Sequence, residues 1–370
     1  MALEIKPYTA DQVPAARAFN KRMRQGNAPS EFLLGESAPD PQKQIARRIR
    51  TTNYLAVDDS FVGGGFMLID FPARLSGQEI TATDWMAPLS EGIVDPRHSM
   101  VGMQFIKYPQ KNVKYGMAVG MGGIANPFPR LLKAAGWTVY EVPFFFRVIR
   151  ASRFFREMGV FNSSPARRVA GRIAAVSGLG AVAVTAMHAR GLPSSLKASG
   201  LTVDNPPEWG NWADEIWQTF RVSCSFAIER DSATLAELHP FNQSRLVRLR
   251  LRRGERTVGW AAAMLTPKKN DKYFGNLTVA TILDCVSGFD EMPAAIQAVT
   301  RALARSGADL VIANQTHARC QESFRQAGYL AGPSNYCLAI SKPIAEGVRS
   351  GLGESAIYVT RADGDGRIHL

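Results

Sequence analysis

The chain has 370 residues, 46% hydrophobic and 21% charged, which excludes a disordered polymer and suits about two domains at the usual ~100–200 residues each. Its 44 lysines and arginines against 32 acids leave a net charge of +12, so an anionic partner is favoured, whether a phosphate-rich cofactor, an anionic lipid or a nucleic acid. No Lys/Arg tail, zinc spacing or RNA-binding signature accompanies that charge, which argues against nucleic acid.

Cys224, Cys285, Cys320 and Cys337 stand far apart with no CxxC pair, so neither a disulfide scaffold nor a metal site is expected. The N-terminal MALEIKPYTADQ has no apolar leader, and the longest weakly polar run, Ile173 to Met187, falls short of the ~20 residues of a spanning helix. Both features point to a cytoplasmic protein.

In chain order, Leu3 to Tyr8 reads as a strand, and a helix begins near Thr9 or Asp11 with Val13, Ala16 and Phe19 on one face. Strands are expected over Asn53–Val57, Val62–Ile69 and Ile80–Trp85, the first two joined by Asp58-Asp59-Ser60. Gly92-Ile-Val-Asp-Pro leads into a helix from Ser99 to Tyr108, then a strand over Lys114–Val119 and a short helix from Pro127 to Ala135 with Gly136 as its C-cap. Trp137 to Ile149 reads as one long aromatic strand.

From Arg150 to about Phe220 arginine dominates: Arg150, Arg153, Arg156, Arg167, Arg168, Arg172 and Arg190 stand against Glu157 as the single acid before Asp204. Asn162-Ser-Ser-Pro and Asp204-Asn-Pro-Pro break the chain, so 151–214 reads as a basic helical connector outside both sheets.

The second half repeats the order. Strands are expected at Val222–Ile228, Leu246–Leu251, Val258–Leu265, Thr278–Val286, Leu310–Ala313 and Tyr336–Ile340. Helices are expected at Asp231–Leu238, Met292–Ser306 and Ala318–Ala327, the last ended by Gly328. VGGGFMLI answers VGWAAAML, and NPFPRLLKAAGW answers NQTHARCQESFRQAGYL. Gly63 pairs with Gly259, Asn126 with Asn314 and Gly136 with Gly328, so one α/β domain is read twice, over 1–150 and 215–345, with 346–370 as a tail.

These units resemble the GNAT acyltransferase superfamily, through the V-G step, the Asn-to-Gly helix, and Gly136-Trp137 and Gly328-Tyr329 where the family has Gly-Phe. The paired arrangement is also similar to Fem-type aminoacyl transferases and to acyltransferases of bacterial envelope polysaccharide pathways. The resemblance implies two tandem domains, each a mixed, mostly antiparallel sheet flanked by helices. It implies acyl transfer from acetyl-CoA or another acyl-CoA, used as donor substrate, to an amine or hydroxyl of a small-molecule or saccharide acceptor. A catalytically degenerate ligand-binding or scaffold protein, and Fem-like transfer from a charged tRNA, stand beside that reading.

The resemblance also implies site residues. Coenzyme A would lie on the loop after the fourth strand, where backbone N–H groups at a helix N-terminus cradle its pyrophosphate. Here that loop reads Pro96-Arg-His-Ser-Met-Val-Gly-Met, with Gly102 alone of the family's glycines, so Arg97, Ser99, Val101, Gly102, Met103 and the strand-end Asn126 are the expected donor contacts. The second domain reads Asp284-Cys-Val-Ser-Gly-Phe-Asp-Glu and lacks the loop. Leu132 and Phe324 occupy the places of the family's tyrosine acid.

Glu91 sits near the family's general base, or is a solvated loop glutamate. His98 is a phosphate contact or base, or an idle loop histidine; His317 lines an acceptor cleft, or belongs to a polar helix cap. Arg248, Arg250 and Arg252 alternate with aliphatics and so share one sheet face, which offers a site for an acidic saccharide or a phosphate, or the solvated face of an edge strand; Asp284, in a cleft near His317, is a further substrate-binding candidate. The 167–190 segment, apolar with basic flanks, suits either a helix buried between domains or peripheral contact with an anionic membrane.

Overall fold

The computed structural model describes residues 3–28, 34–35, 37, 47–59, 61–162, 164–189 and 200–364. Two compact units result, one formed by Met1–Tyr140 with Cys337–Gly351 and the other by Glu141–Tyr336 with Leu352–Leu370. Both are mixed α/β, each with a mostly antiparallel sheet flanked by helices.

The strands of the first unit are β1 (Glu4–Pro7), β2 (Arg50–Asp58), β3 (Phe61–Leu75), β4 (Gln78–Ser90), β5 (Gly116–Gly120) and β6 (Thr138–Glu141), with β15 (Cys337–Ile340) added from far along the chain. Their order is β1-β2-β3-β4-β5-β15-β6, with β1–β2, β2–β3, β3–β4 and β5–β15 antiparallel and β4–β5 parallel. Helices Val13–Gln25, Ser99–Asn112 and Pro127–Ala134 cover it. Phe66, Trp85, Val101, Phe105 and Leu132 form one apolar cluster, and Phe19, Met23, Leu55 and Leu89 form another.

The second unit uses β7 (Phe144–Val148), β8 (Leu201–Asp204), β9 (Phe226–Ile228), β10 (Leu246–Arg253), β11 (Arg256–Pro267), β12 (Thr278–Ser287), β13 (Leu310–Asn314), β14 (Leu330–Gly332) and β16 (Ile357–Tyr358). Its main sheet runs β8-β10-β11-β12-β13-β7-β14, and β9 pairs in parallel with β16. Trp217, Phe220, Trp260, Ile296 and Phe324 centre its core.

Internal geometry bears out the repeat at Gly136 and Gly328 but corrects its other two matches: Gly64 and not Gly63 answers Gly259, and Asn126 caps a helix whereas Asn314 ends β13 and His317 stands at the helix cap. In each sheet the fourth strand pairs in parallel with the fifth. Gly64 faces Ser90 at the end of β4, and Gly259 faces Ser287 at the end of β12. Gly136 and Gly328 both have positive φ, +88° and +81°, and close their helices identically: Trp137 N–H reaches the Leu132 carbonyl as Tyr329 N–H reaches that of Phe324.

Three expectations are corrected. Trp137–Ile149 is not one strand, because Val142-Pro143 interrupts it and proline cannot donate to a ladder; β6 lies in the first sheet and β7 in the second. Each sheet thus takes its sixth strand from the other half of the chain, so the units differ at these crossings from the contiguous spans 1–150 and 215–345. The 151–214 segment is not wholly outside the sheets, since Leu201–Asp204 pairs with β10 and Asn211–Arg221 buries Trp217 and Phe220 in the core. Arg190 lies outside the described residues.

All four cysteines are free and buried. Among the described residues no single helix is long and apolar enough to cross a membrane.

Candidate functional site

In the first unit β4 and β5 are paired only at Thr83–Gly116 and Asp84–Met117, and then part. Just beyond, β4 bulges: Phe66 of β3 is opposed by Ala87 and Pro88 together, and Ala87 takes a φ of +47°. A bulge re-aims the strand and releases its backbone groups from the ladder. Trp85, 2% exposed, lies at the parting, its ring tilted at 59° to Phe128 with centroids 5.2 Å apart, and its indole N–H is buried without an acceptor. An orphaned buried donor is uncommon and calls for an explanation, of which a bound water or ligand is one; the Trp260 indole N–H of the second unit is orphaned in the same way. Because β4 and β5 are parallel, the loops after both open at the same end of the sheet, the usual address of ligands in parallel sheet segments.

The loop after β4 contains most of the expected site residues. It folds as 3-10 turns at Glu91–Ile93 and Pro96–His98 and enters the Ser99–Asn112 helix. Gly92 locks it, since a Cβ there would come within 2.7 Å of Ser99 Cα and 2.9 Å of the His98 carbonyl. Gly102 is different: its nearest neighbour would be Ser90 Cβ at 3.9 Å, so packing does not demand a glycine there. Ser99 begins the helix, Val101 is buried in the core, and Met100 and Met103 are exposed at 67% and 44% beside Ile93 at 63%. Helix N–H groups and an apolar rim therefore adjoin one another.

The charged groups are more committed than their spacing suggests. Glu91 is 4% exposed and accepts from Arg22 Nε at 2.7 Å and Nη2 at 2.8 Å, so both oxygens are occupied and the loop is pinned to the first helix. The solvated alternative for Glu91 is thereby overturned, because Arg22 replaces its water. Arg97 donates to Asp95, with an Nη2–Oδ2 distance of 2.6 Å, and holds that carboxyl down to about 2. His98 stacks on Phe61 at 5.2 Å, with Nε2 4.0 Å from Asp95. Asn126 is exposed at the N-cap of the Pro127–Ala134 helix, on the turn after β5.

The corresponding place in the second unit is filled by the chain itself. β12 parts from β13 after Ile282–Ala313, with Leu283 as the extra residue, and Asp284 points into the gap. Its carboxylate accepts from Arg230 Nε at 2.9 Å, His239 Nε2 at 3.1 Å, Thr360 Oγ1 at 2.8 Å and Tyr358 Oη at 3.3 Å. Arg230 also donates to Asp363 at 2.6 Å, and all three charged side chains are wholly buried. Burial pushes the Asp284 carboxyl up, but Arg230 and then His239 outweigh it and hold it below its ordinary range. Burial raises Asp363, which shares the same guanidinium. Asp284 is therefore a structural keystone, out of reach of an acceptor.

His317 stacks on Phe289 at 5.3 Å, and its Nε2–H donates to the Ser223 carbonyl at 3.2 Å. Where a pyrophosphate would meet the next helix stand Asp290 and the N-cap Glu291, the latter paired to Arg253 at 2.6 Å; two acids there repel a diphosphate. Arg250 grips Asp204 at 3.0 and 3.1 Å, Arg252 pairs with Glu255 at 2.8 Å, and Arg248 donates to the Pro240 carbonyl at 2.5 Å. They do share one face, but β8 pairs with Arg250–Arg253, so that half of β10 is not a sheet edge.

The structure thus brings Glu91, Arg97, His98, Ser99, Val101, Gly102 and Met103 into one loop and helix, and it places His317 and Asp284 in the other unit. Sequence reasoning missed Arg22, Trp85, Ala87, Gly92 and Arg230. Only Gly92 left a signal, as the glycine of the Gly92-Ile-Val-Asp-Pro step into the helix. Among the described residues no cluster of three or more His, Cys, Asp or Glu is arranged for a metal.

No family model matches the sequence, and no curated protein matches it either. Among solved structures, a protein of unknown function and probable N-acyltransferase from Enterococcus faecalis superposes with a TM-score of 0.50 at 9% identity, over 94% of this chain and 74% of that one. A GCN5-related N-acetyltransferase from Anabaena variabilis gives 0.49 at 11% identity, over 90% and 72% of the two chains. N-myristoyltransferase of Saccharomyces cerevisiae, solved with bound myristoyl-CoA and inhibitors, gives 0.49 at 8% identity over 92% and 79%. The GNAT-type resemblance holds at the level of the fold. These structures do not bear on its Fem-like form.

Proposed function

We propose that the chain transfers an acyl group from an acyl thioester such as acyl-CoA to an amine or hydroxyl acceptor, and that the first unit carries the reaction. The observation behind this reading is the parting of β4 from β5, with its bulge at Ala87 and the orphaned Trp85 indole N–H. In the second unit Tyr358 and Thr360 occupy the equivalent place.

The chemistry follows from the groups present. The acceptor's lone pair attacks the thioester carbonyl, the C–S bond breaks, and the sulfur leaves as thiolate. Donors released from the ladder at the parting stabilise the oxyanion that forms between these steps. The diphosphate would lie on the N–H groups at the start of the Ser99–Asn112 helix, with Arg97 and His98 at the mouth. Leu132 and Phe324 are buried and have no proton to give. A thiol of pKa ~8.5 can still depart unprotonated, so this loss is compatible with turnover. Glu91, clamped by Arg22, positions the loop, and an acceptor amine would lose its proton to water or His98. An envelope saccharide or other small acceptor remains part of this reading, whereas an acidic acceptor on Arg248, Arg250 and Arg252 gains no support, since those arginines are already engaged.

A second reading, a ligand-binding or scaffold protein without turnover, is favoured by the closed second unit and by the Arg97–Asp95 pair. Calorimetry with acetyl-, octanoyl- and myristoyl-CoA separates the two, combined with product detection. Gly102→Ala fits the space and should keep donor binding. Gly102→Trp should weaken it by ~1–3 kcal/mol, about five- to a hundred-and-fiftyfold, by pushing the phosphates off the helix end. If the wild type binds none of the three donors, the acyl-transfer reading fails and the scaffold reading stands. Turnover that requires a charged tRNA would move it to the Fem-like class.

A further inference from the structure

The second unit carries an apolar surface that its own core does not use. Helices Pro165–Val176 and Leu179–Ala189 form a pair bent by 83° at Ser177-Gly178. Among residues of this pair whose burial is described, only Gly171, Gly180, Val184 and His188 are buried. The exposed face carries Val169, Ile173, Val176, Leu179, Val182 and Met187, at 58%, 59%, 88%, 69%, 67% and 39%. Val169, Ile173 and Val176 fall at i, i+4 and i+7, so the first helix turns a continuous apolar stripe outward, where a surface helix ordinarily places polar residues.

The inner side is fixed, so the stripe cannot simply rotate inward. Gly171 lies so close to Phe155 that a Cβ would come within 2.8 Å of its carbonyl oxygen, and at Gly180 a Cβ would come within 2.6 Å of the Phe155 ring. Val184 packs in a cluster with Val148, Leu277 and Leu310. His188 Nδ1–H donates to the Gly328 carbonyl at 2.7 Å, and its Nε2 accepts from Val148 N–H at 3.2 Å. Gly180, Val184 and His188 recur every fourth residue, so one narrow line of the second helix is anchored and the rest faces out.

We propose that this bent pair is a peripheral anchor that lays its outer face on an anionic lipid surface. Three observations select that partner. At ~1.5 Å per residue the helices reach only ~18 and ~16 Å, too short for a ~30 Å hydrocarbon core, so they lie on a bilayer and do not span it. From 158 to 203 the sequence has no acid, and Arg167 and Arg172 are exposed on the first helix, which complements anionic headgroups. Between Val169 and Met187 the polar side chains other than His188 are only Arg172, Ser177 and Thr185, whereas a protein interface needs about one hydrogen bond per 100–200 Å².

Vesicle flotation of the full chain tests this, using phosphatidylcholine alone and phosphatidylcholine with roughly a third phosphatidylglycerol. The protein should float with the anionic vesicles and not with the neutral ones. Raising salt from ~0.1 to ~1 M, which shortens the Debye length from ~10 to ~3 Å, should release it. Val176→Asp with Leu179→Asp should abolish flotation while the thermal transition stays in place, since both positions are exposed. Arg172→Glu should reduce partitioning at least about fivefold. A Val182→Trp reporter should blue-shift on anionic vesicles only. The proposal is overturned if the wild type does not float, or if the aspartates leave flotation unchanged. It is equally overturned if sedimentation shows a concentration-dependent dimer that the aspartates dissolve while vesicles fail to bind, because the face would then join two copies.

Discussion

Arg230 and Asp284 form a 2.9 Å ion pair from which water is wholly excluded, with Asp363 on the guanidinium's other arm. Such a pair adds little net stability over an apolar replacement, but breaking it strands a charge. Arg230→Met should therefore destabilise the second unit by ~3–5 kcal/mol, because two carboxylates lose one shared cation. Asp284→Asn should cost less, since Asp363 still balances Arg230. Urea denaturation of both variants checks the ranking, and equal losses would show that the two carboxylates do not depend on Arg230 alike.

The pH dependence has an identifiable source in His188. Its Nε2 accepts the Val148 N–H while its Nδ1–H donates to Gly328, which fixes the neutral ring. Burial lowers its pKa from 6.5, and the nearby Arg147 adds to that against the Gly328 hydrogen bond. Burial likewise lowers His317, whose Nδ1 is buried without a partner. For a depressed histidine the unfolded chain binds the proton first. Stability is thus complete above pH 6.5 and declines as pH falls below it toward the folded-state value, by at most ~1.4 kcal/mol per unit for each ring. Melting curves from pH 7.5 down to about 5 should show this decline, and His188→Gln should flatten it. An unchanged slope in that variant would place the acid sensitivity elsewhere.

Gly136 and Gly328 show what the sequence made legible. Each follows an amphipathic helix and precedes an aromatic, and both adopt the positive φ that a C-cap requires. The strand Leu246–Leu251 was equally plain from the alternation of Arg248, Arg250 and Arg252 with aliphatics, and it pairs with β11. The placement of β7 and β15 was not, because Phe144–Val148 and Cys337–Ile340 are apolar enough to suit either sheet, and only Val142-Pro143 hints at the break. Arg230, Tyr358, Thr360 and Asp363 were missed for a related reason. A single arginine and a polar tail carry no periodicity, and only the fold brings them to Asp284. The arginine stripe failed differently: period two gave the shared face correctly, yet it could not reveal that Asp204 would arrive on a neighbouring strand.

Glu91 offers the sharpest test of the proposed site. A general base must reach the proton it removes, so it cannot be both buried and held in a fixed ion pair. Both Glu91 oxygens are taken by Arg22, which also donates to the Val62 carbonyl at 2.7 Å, and the carboxylate has 5% of its side chain exposed. Its expected role is to hold the turn that presents the Ser99 helix end. Glu91→Gln should then reduce stability by ~1–2 kcal/mol, since a charge-assisted pair becomes a neutral one and Arg22, a third exposed, recovers some water. Donor binding should weaken along with it, because the loop loosens. Arg22→Met should reproduce both effects, and the double variant should cost less than the sum of the two, as coupled residues do. A general base predicts the opposite split: turnover falls in Glu91→Gln with stability and donor affinity unchanged, and Arg22→Met does not follow it. Calorimetric donor titrations and urea midpoints on the same three proteins distinguish the outcomes, and a turnover-only loss would restore Glu91 to catalysis.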